Sequence, residues 1–334
     1  MNISFSILAV VVIGLIPLIG TTAVNLQYLF GVIIPYAAVI IFVLGVIYRV
    51  VKWGRSPTPF RIPTTCGQQK TLPWIKQNRI ENPSNVVGVI IRMALEILLF
   101  RSLFRNTRAE LKEGPKFVYG GFPWLWLAAL VFHYAFLTVV LRHLRFFLDP
   151  VPFFVDWLQY LDGILEVGLP IYMLSGFALF AAASYLFIRR LVVPQLRYIS
   201  LVSDYFPLFL ILCIAGTGIL MRYFFKVNIL SVRELAVSLA GFSPKLPEYG
   251  IGGFHYLFYM HLFYVSVLVA YFPFSKLMHS GGVFLSPTRN LSNNNRAVRH
   301  INPWNYPVKV HTYEEYEDDF REQMKEAQIP VERD

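Results

Sequence analysis

The chain has 334 residues, of which 56% are hydrophobic and only 15% are charged. Soluble domains carry about a quarter charged residues, so this composition, with a mean hydropathy of +0.52, excludes an ordinary soluble globular protein. The formal net charge of +10 would suit nucleic acid, but in a membrane chain it is better explained by topology, and we predict no nucleic-acid partner. Its two cysteines, Cys66 and Cys213, lie far apart in the sequence and argue against an iron–sulfur cluster held by this chain.

Several apolar runs are long enough to cross a bilayer, whose hydrocarbon core needs roughly 20 helical residues. The first run lacks a basic start and is closely followed by a second, so we interpret it as an uncleaved span rather than a signal peptide. We therefore predict an all-α membrane protein with six transmembrane helices. The predicted spans are 4–23, 28–50, 121–148, 163–188, 205–225 and 251–279.

The charged residues between the spans predict the orientation. Residues 49–120 contain 13 Lys and Arg against 4 acidic residues, whereas 149–162 contains three Asp and no base. Basic loops stay cytoplasmic, so we expect both termini inside the cell and the loops 149–162 and 226–250 outside. The expected location is the plasma membrane.

The long inner loop is interrupted by several prolines and contains one further apolar stretch, from Asn85 to Phe104. Arg92, Glu96 and Arg101 interrupt that stretch, which favours a helix lying in the membrane interface. A seventh span there would invert every later loop and place basic residues outside. We predict an interfacial helix.

The tail changes character and is polar, with an acidic run at 314–319. It is either disordered or an extended arm laid on a cytoplasmic partner, and the aromatic residues Trp304, Tyr306 and Tyr313 favour the second interpretation. The predicted domains are 1–50 with two transmembrane helices, 51–120 as a cytoplasmic loop, 121–280 as the cofactor-binding bundle and 281–334 as a partner-binding tail.

Four histidines lie deep in apolar sequence, His133 and His143 on the third predicted span and His261 and His279 on the sixth. Ionisable groups inside a membrane are costly and usually functional, and neutral imidazole is the commonest metal ligand. On a helix, His261 and His279 would share a face about 27 Å apart, and His133 and His143 would be about 15 Å apart. Because the two spans are antiparallel, His133 and His279 are expected nearer the inner surface, and the other two nearer the outer one.

Each of these crossed pairs suits one planar cofactor held between two helices. Two imidazoles leave a zinc or copper ion short of ligands, whereas a haem needs only two axial ligands. The chain has no CxxCH motif, which excludes covalent attachment, so two haem b groups are expected. A single membrane histidine is otherwise often a helix–helix hydrogen-bond donor. The cations expected to bind the haem propionates on the outer side are Arg142, Arg145 and Arg222, with Lys226 nearby.

The spacing His-x9-His on one span and His-x17-His on a later one resembles the cytochrome b subunit of respiratory nitrate reductase, the gamma-subunit family. The resemblance implies a dihaem b four- or five-helix bundle core, to which this chain adds an N-terminal helix. The implied ligands are His133 with His279 for the inner haem and His143 with His261 for the outer haem. The additional span, the basic loop and the motif at 302–304 are more similar to the cytochrome b subunit of the membrane complex associated with dissimilatory sulfite reduction.

The resemblance also implies a menaquinol site beside the outer haem. It implies electron transfer to a cytoplasmic iron–sulfur subunit of the heterodisulfide-reductase type. Other membrane subunits and outer-side cytochrome subunits are compatible with such a complex. Quinol oxidation releases protons and needs a titratable group near the membrane edge. Glu166 is the candidate, unless it pairs with Arg142 or Arg145. His255 lies off the ligand face, and either takes a quinol proton or hydrogen-bonds in the interface.

The expected role is therefore in sulfite or sulfate respiration. The alternatives are the cytochrome b subunit of a nitrate or heterodisulfide reductase complex and, in a different class, a metal or proton transporter. A transporter would be expected to show broken helices at matching places in repeated halves, and the sequence has no such repeat.

Overall fold

Helices dominate the architecture of the protein in the computed structural model, which describes residues 2–56, 62, 67–104, 108–114, 116–165, 171–246, 256–298, 307 and 310–332. In chain order they are α1 (Asn2–Thr22), α2 (Ile34–Gly54), α3 (Val86–Leu99), α4 (Arg101–Phe104), α5 (Pro123–Phe147), α6 (Phe153–Asp162), α7 (Leu174–Val192), α8 (Pro194–Ile199), α9 (Val202–Tyr223), α10 (Ile229–Ala240), α11 (Tyr256–Tyr271), α12 (His279–Gly282) and α13 (Tyr313–Glu326). The strands within the described ranges form two antiparallel pairs, β1 (Arg108–Lys112) with β2 (Lys116–Gly120) and β3 (Gly163–Leu165) with β4 (Tyr172–Met173).

The described residues include six helical segments that are long and apolar enough to cross a membrane. They are α1, α2 with the π-helical turn Leu29–Ile33 before it, α5, α7, α9 and α11 with the 3₁₀ turn Phe272–Phe274 after it. The prediction of an all-α membrane protein with six transmembrane helices is confirmed.

The predicted start of the fourth span is wrong. Helix α7 begins at Leu174, not near residue 163, because the chain leaves α6 as β3 and pairs with β4 before the helix starts. A segment whose backbone groups bond across a hairpin is not available for the hydrogen bonds of a helix. Glu166, which the prediction placed inside this span, lies outside the described residues.

The predicted continuous sixth span to residue 279 is also wrong. Helix α11 ends at Tyr271, and two 3₁₀ turns separate it from His279. Pro273 has no N–H to continue the helical ladder, and Ser275 is extended, with its side chain accepting from the N–H of Leu277. His261 and His279 therefore do not share one straight helix, and the predicted separation along one axis does not apply.

The centre of the bundle is an apolar cluster to which five of the spans contribute. Its buried members are Val10, Ala135, Leu179, Leu210, Ile211, Tyr264 and Leu268. Because Val10 belongs to α1, the additional N-terminal helix is part of this core, where it packs against α9 and α11. A second buried cluster joins the π-helical turn to α10 and α11 through Phe30, Leu235, Phe258 and Tyr259.

Replacing Gly14 with alanine is expected to lower the free energy of unfolding by about 1–3 kcal/mol, the usual cost of an overpacked core. A Cβ at Gly14 would lie 2.0 Å from the hydroxyl oxygen of Tyr264, which donates to the carbonyl of Val10 at 3.3 Å. The matched control is Gly176→Ala in α7, where a Cβ meets nothing within 4 Å. Thermal unfolding of both variants in detergent tests this, and equal stabilities would contradict it.

The segment between α2 and α5 contains a short helix, α3, within the stretch from Asn85 to Phe104. Asn85 caps α3 by accepting from the N–H of Gly88 at 2.8 Å, and α3 has 14 residues, fewer than the roughly 20 that a span needs. The acidic run of the tail, predicted to be disordered or extended, is instead part of α13. Its helical structure follows from the Thr312–Glu315 capping box. Trp304 and Tyr306 lie outside the described residues.

Candidate functional site

The two histidines of α5 meet the histidine of α11 and the histidine that begins α12 in crossed pairs. The ring centroids of His133 and His279 are 5.9 Å apart, with the two planes 84° from each other. His143 is near enough to His261 to interact with it electrostatically. The break after α11 does not separate the first pair, whose rings remain neighbours.

All four imidazoles use their Nδ1 atom for a hydrogen bond inside the protein. The Nδ1 atoms of His133, His143 and His279 each lie within 2.6–2.8 Å of a backbone carbonyl oxygen. A carbonyl only accepts, so Nδ1 carries the proton, and the Nε2 lone pair is left for another partner. This is the arrangement usual for histidines that bind a metal through Nε2. The carbonyls belong to Ala129, Val139 and Lys276.

His261 is also protonated at Nδ1, but its hydrogen-bond partner is a side chain rather than a backbone carbonyl. Its Nδ1 lies 2.9 Å from the Thr217 hydroxyl oxygen, and that hydroxyl donates to the carbonyl of Cys213 at 2.7 Å. The hydroxyl proton is thus engaged, so the oxygen accepts from Nδ1. Gly218 lies beside the same ring, where an added Cβ would be 3.4 Å from Cε1. Nothing in the local sequence indicated Thr217 or Gly218, which α9 brings to His261.

Two imidazoles joined by one metal have a defined spacing, which tests whether a haem fits. A metal–imidazole nitrogen bond is about 2 Å, so two rings on opposite sides of one metal have centres roughly 6 Å apart, close to the 5.9 Å between His133 and His279. Within the described part of the chain, no group of three or more His, Cys, Asp or Glu side chains is placed to hold a metal ion. The donor set fits a haem, which needs two axial ligands, better than a bare ion.

Two aromatic rings lie beside the His133–His279 pair. The ring of Phe100, at the end of α3, lies 4.9 Å from that of His133 at an angle of 74°, and Phe132 lies 5.2 Å from the same ring. No local pattern marked Phe100 as a neighbour of His133, since the contact depends on how α3 packs against α5.

Three arginines cluster near the His143–His261 pair. Arg142 and Arg222 both act electrostatically on Arg145, and the Nε atoms of all three are buried without a hydrogen-bond partner. Arg145 donates to the side-chain oxygen of Gln159 at 2.6 Å, and Arg222 donates to the carbonyl of Ile171 at 3.3 Å. Among the described residues neither has a carboxylate partner, so both retain positive charge available to an anionic group.

Arg142 differs from the other two arginines because it already has a buried partner. Its guanidinium lies 2.5 Å from a carboxylate oxygen of Asp162 and 3.1 Å from the hydroxyl of Ser175. Asp162 also accepts from the backbone N–H and the hydroxyl of Ser175, at 2.7 and 2.6 Å. Glu166 is the partner that the sequence suggests for Arg142, whereas in the structure Asp162 forms the ion pair with this arginine. Glu166 and His255 themselves lie outside the described residues.

The fold and the site together define a polytopic helical membrane protein that carries paired histidines within its bundle. Residues 122–300 match the family described as nitrate reductase gamma subunit. The chain belongs to this family, which confirms the resemblance seen in the histidine spacing.

Two curated relatives cover most of the chain and are more specific than the family. The chain is 48% identical, over 279 residues that make up 83% of each protein, to the Hdr-like menaquinol oxidoreductase cytochrome b-like subunit of Archaeoglobus fulgidus. It is 44% identical, over 275 residues that make up 81% of each protein, to the subunit of the same name from Archaeoglobus profundus.

Proposed function

We propose that the protein is the cytochrome b subunit of a menaquinol oxidoreductase of the Hdr-like type, and that it carries electrons from menaquinol on the outer side to a cytoplasmic iron–sulfur subunit. The proposal depends on the four imidazoles, which meet in two crossed pairs. Each of them makes a hydrogen bond through Nδ1 and leaves Nε2 for another partner. The names of both relatives support it.

His133 with His279 would hold an inner haem b, and His143 with His261 would hold an outer one. When bound, the two haems supply single-electron carriers at two depths of the membrane. The hydrogen bonds at Nδ1 orient the four rings and raise their basicity as ligands. Arg145 and Arg222, and Arg142 within its ion pair with Asp162, offset the negative charge of the propionates on the outer side.

Menaquinol is the proposed electron donor, and its oxidation gives a quinone, two electrons and two protons. The protons would leave on the outer side, where Glu166 and His255 are the proposed acceptors. The electrons would move inward, and each full crossing involves about 2.3 kcal/mol per 100 mV of membrane potential. The orientation proposed for this path places both termini in the cytoplasm of a cell with the protein in its plasma membrane.

The proposed partner of the inner haem is an iron–sulfur protein of the heterodisulfide-reductase type, with other membrane and outer-side cytochrome subunits in the same complex. A role in sulfite or sulfate respiration is part of the proposal, and it is supported by the resemblance of the loop and the motif at 302–304 to the sulfite-associated subunit. Affinity purification of the tagged chain tests the partner. Recovery of a cysteine-rich iron–sulfur protein is expected, and recovery of a molybdenum enzyme would favour a nitrate reductase complex instead.

The absorption spectrum of the purified, dithionite-reduced chain tests the function itself. We expect a b-type spectrum with about two haems per chain, because each histidine pair would hold one haem. Menaquinol analogues should reduce these haems without dithionite. An intact chain without visible absorption would reject the proposal and favour a structural or transport role.

A further inference from the structure

Buried polar groups join the inner loop to the start of the tail. Arg92 of α3 is 4% exposed, and its guanidinium donates to the backbone carbonyls of Glu81, Arg289 and Leu291. The last two acceptors lie 197 and 199 positions further along the chain. Burial lowers the pKa of the Arg92 guanidinium, but arginine stays protonated at physiological pH. A planar fork of donors thus links three carbonyls of two distant segments.

Two further contacts strengthen this link. Asn82 and Asn293 are both fully buried, and the side-chain amide of Asn293 donates to that of Asn82 at 2.7 Å. The side chain of Arg289 pairs with Glu96 of α3 at 2.6 Å. We call these five residues, Asn82, Arg92, Glu96, Arg289 and Asn293, the loop–tail latch.

One end of the latch leads to His133. The carbonyl of Leu99 accepts from the indole N–H of Trp126 at 2.6 Å, and that of Leu98 accepts from the Tyr134 hydroxyl at 3.1 Å. Both donors belong to α5. The next residue, Phe100, takes a left-handed conformation with φ of 49°, and its ring contacts that of His133. The end of α3 is therefore attached to α5 at the level of this histidine.

The other end of the latch leads to His279. This residue begins α12, and the latch residues Arg289 and Asn293 follow in the same segment. Within the segment that joins His279 to the latch, the side-chain amide of Asn290 donates to the carbonyl of Phe284 at 2.6 Å. This hydrogen bond makes the segment more compact. His279 does not belong to a membrane-spanning helix, so its position opposite His133 depends on contacts of this segment.

We propose that Arg92 is a positioning residue for the inner histidine pair, because it closes the path from His133 through α3 and the latch to His279. The inference rests on the proposed haem function. Arg92 touches neither histidine and acts through the segments that carry them. The outer pair is held by α5, α9 and α11 and does not depend on the latch.

The test is the haem content and the redox titration of Arg92→Ala, measured on the full chain. We expect haem affinity at the inner site to fall about 10-fold or more, as is usual when supporting contacts of a metal ligand are removed. The content should then fall from two haems towards one, with the outer haem unchanged. Arg92→Lys should restore occupancy only in part, because an ammonium lacks the planar fork of donors. Arg79→Ala, which removes an exposed arginine of the same loop, should keep both haems.

A second variant covers the case in which Arg92→Ala does not fold. Asn293→Ala removes the side-chain hydrogen bond to Asn82 and leaves the other latch contacts unchanged. It should shift the midpoint potential of the inner haem and leave that of the outer haem unchanged. Unchanged inner haem content and potential in both variants would overturn the inference, as would equal loss of both haems in both. A wild-type chain without haem would reject the proposed function instead.

Discussion

His143→Ala is expected to leave the purified chain with about one haem instead of two, and to abolish menaquinol oxidation. Alanine provides no imidazole, so His261 alone would have to hold the outer haem. The inner haem should remain, because the ring of His279 is within 5.9 Å of that of His133 and neither histidine contacts His143. Haem content and reduced-minus-oxidised spectra measure the loss.

The reciprocal variant, His279→Ala, tests which histidines pair with each other. His279→Ala should remove the inner haem and keep the outer one, so that menaquinol still reduces one haem, although electrons no longer reach the cytoplasmic side. His311→Ala serves as the control, because this tail histidine lies near Asp319 of α13 and outside the bundle. If His143→Ala and His279→Ala removed the same haem, or neither haem, the crossed pairing would be wrong.

Asp162→Ala is expected to lower the free energy of unfolding by about 3–5 kcal/mol, the usual cost of leaving one member of a buried ion pair without its partner. The side chains of Arg142 and Asp162 are only 10% and 7% exposed. The carboxylate also holds Ser175 at the start of α7 through two hydrogen bonds. Its loss therefore loosens the connection between α6 and α7 as well as leaving a buried charge.

Three further variants separate these causes by denaturant or thermal unfolding in detergent. Asp162→Asn keeps an oxygen acceptor for Ser175 and should cost less than alanine. The double variant Arg142→Met with Asp162→Leu should recover much of the stability, because removing both charges avoids the unpaired one. Asp156→Ala, an exposed position on the same helix, should change little. An Asp162→Ala variant within about 1 kcal/mol of wild type would contradict the buried-pair argument.

The spans were predictable because a membrane helix needs a long apolar run, and this signal is local in the sequence. The errors occurred where apolar composition continues but the helix does not. Before α7 the chain pairs as β3 and β4, and after α11 Pro273 and Ser275 interrupt the ladder. Hydropathy does not distinguish a helix from a hairpin or a 3₁₀ turn of similar composition, so both boundaries were misplaced.

The candidate site was predictable to the extent that its residues are anomalous in their surroundings. Histidines and arginines inside apolar sequence are conspicuous, and their spacing on α5 indicated two depths. The supporting residues are not conspicuous. Thr217, Phe100 and Asn293 have side chains that are common in loops and membrane helices, and only the neighbours they meet make them important.

The sequence by itself determined that this protein has six segments long and apolar enough to cross a membrane and that four of its histidines lie in apolar surroundings, because burial in lipid selects residue types one span at a time. Only the tertiary structure decided which groups surround those histidines. Thr217 reaches His261 across 44 positions, Asp162 reaches Arg142 across 20, and Arg92 reaches the tail across nearly 200. Such contacts depend on how helices pack and on which buried polar groups find partners, and no local pattern in the chain encodes that choice.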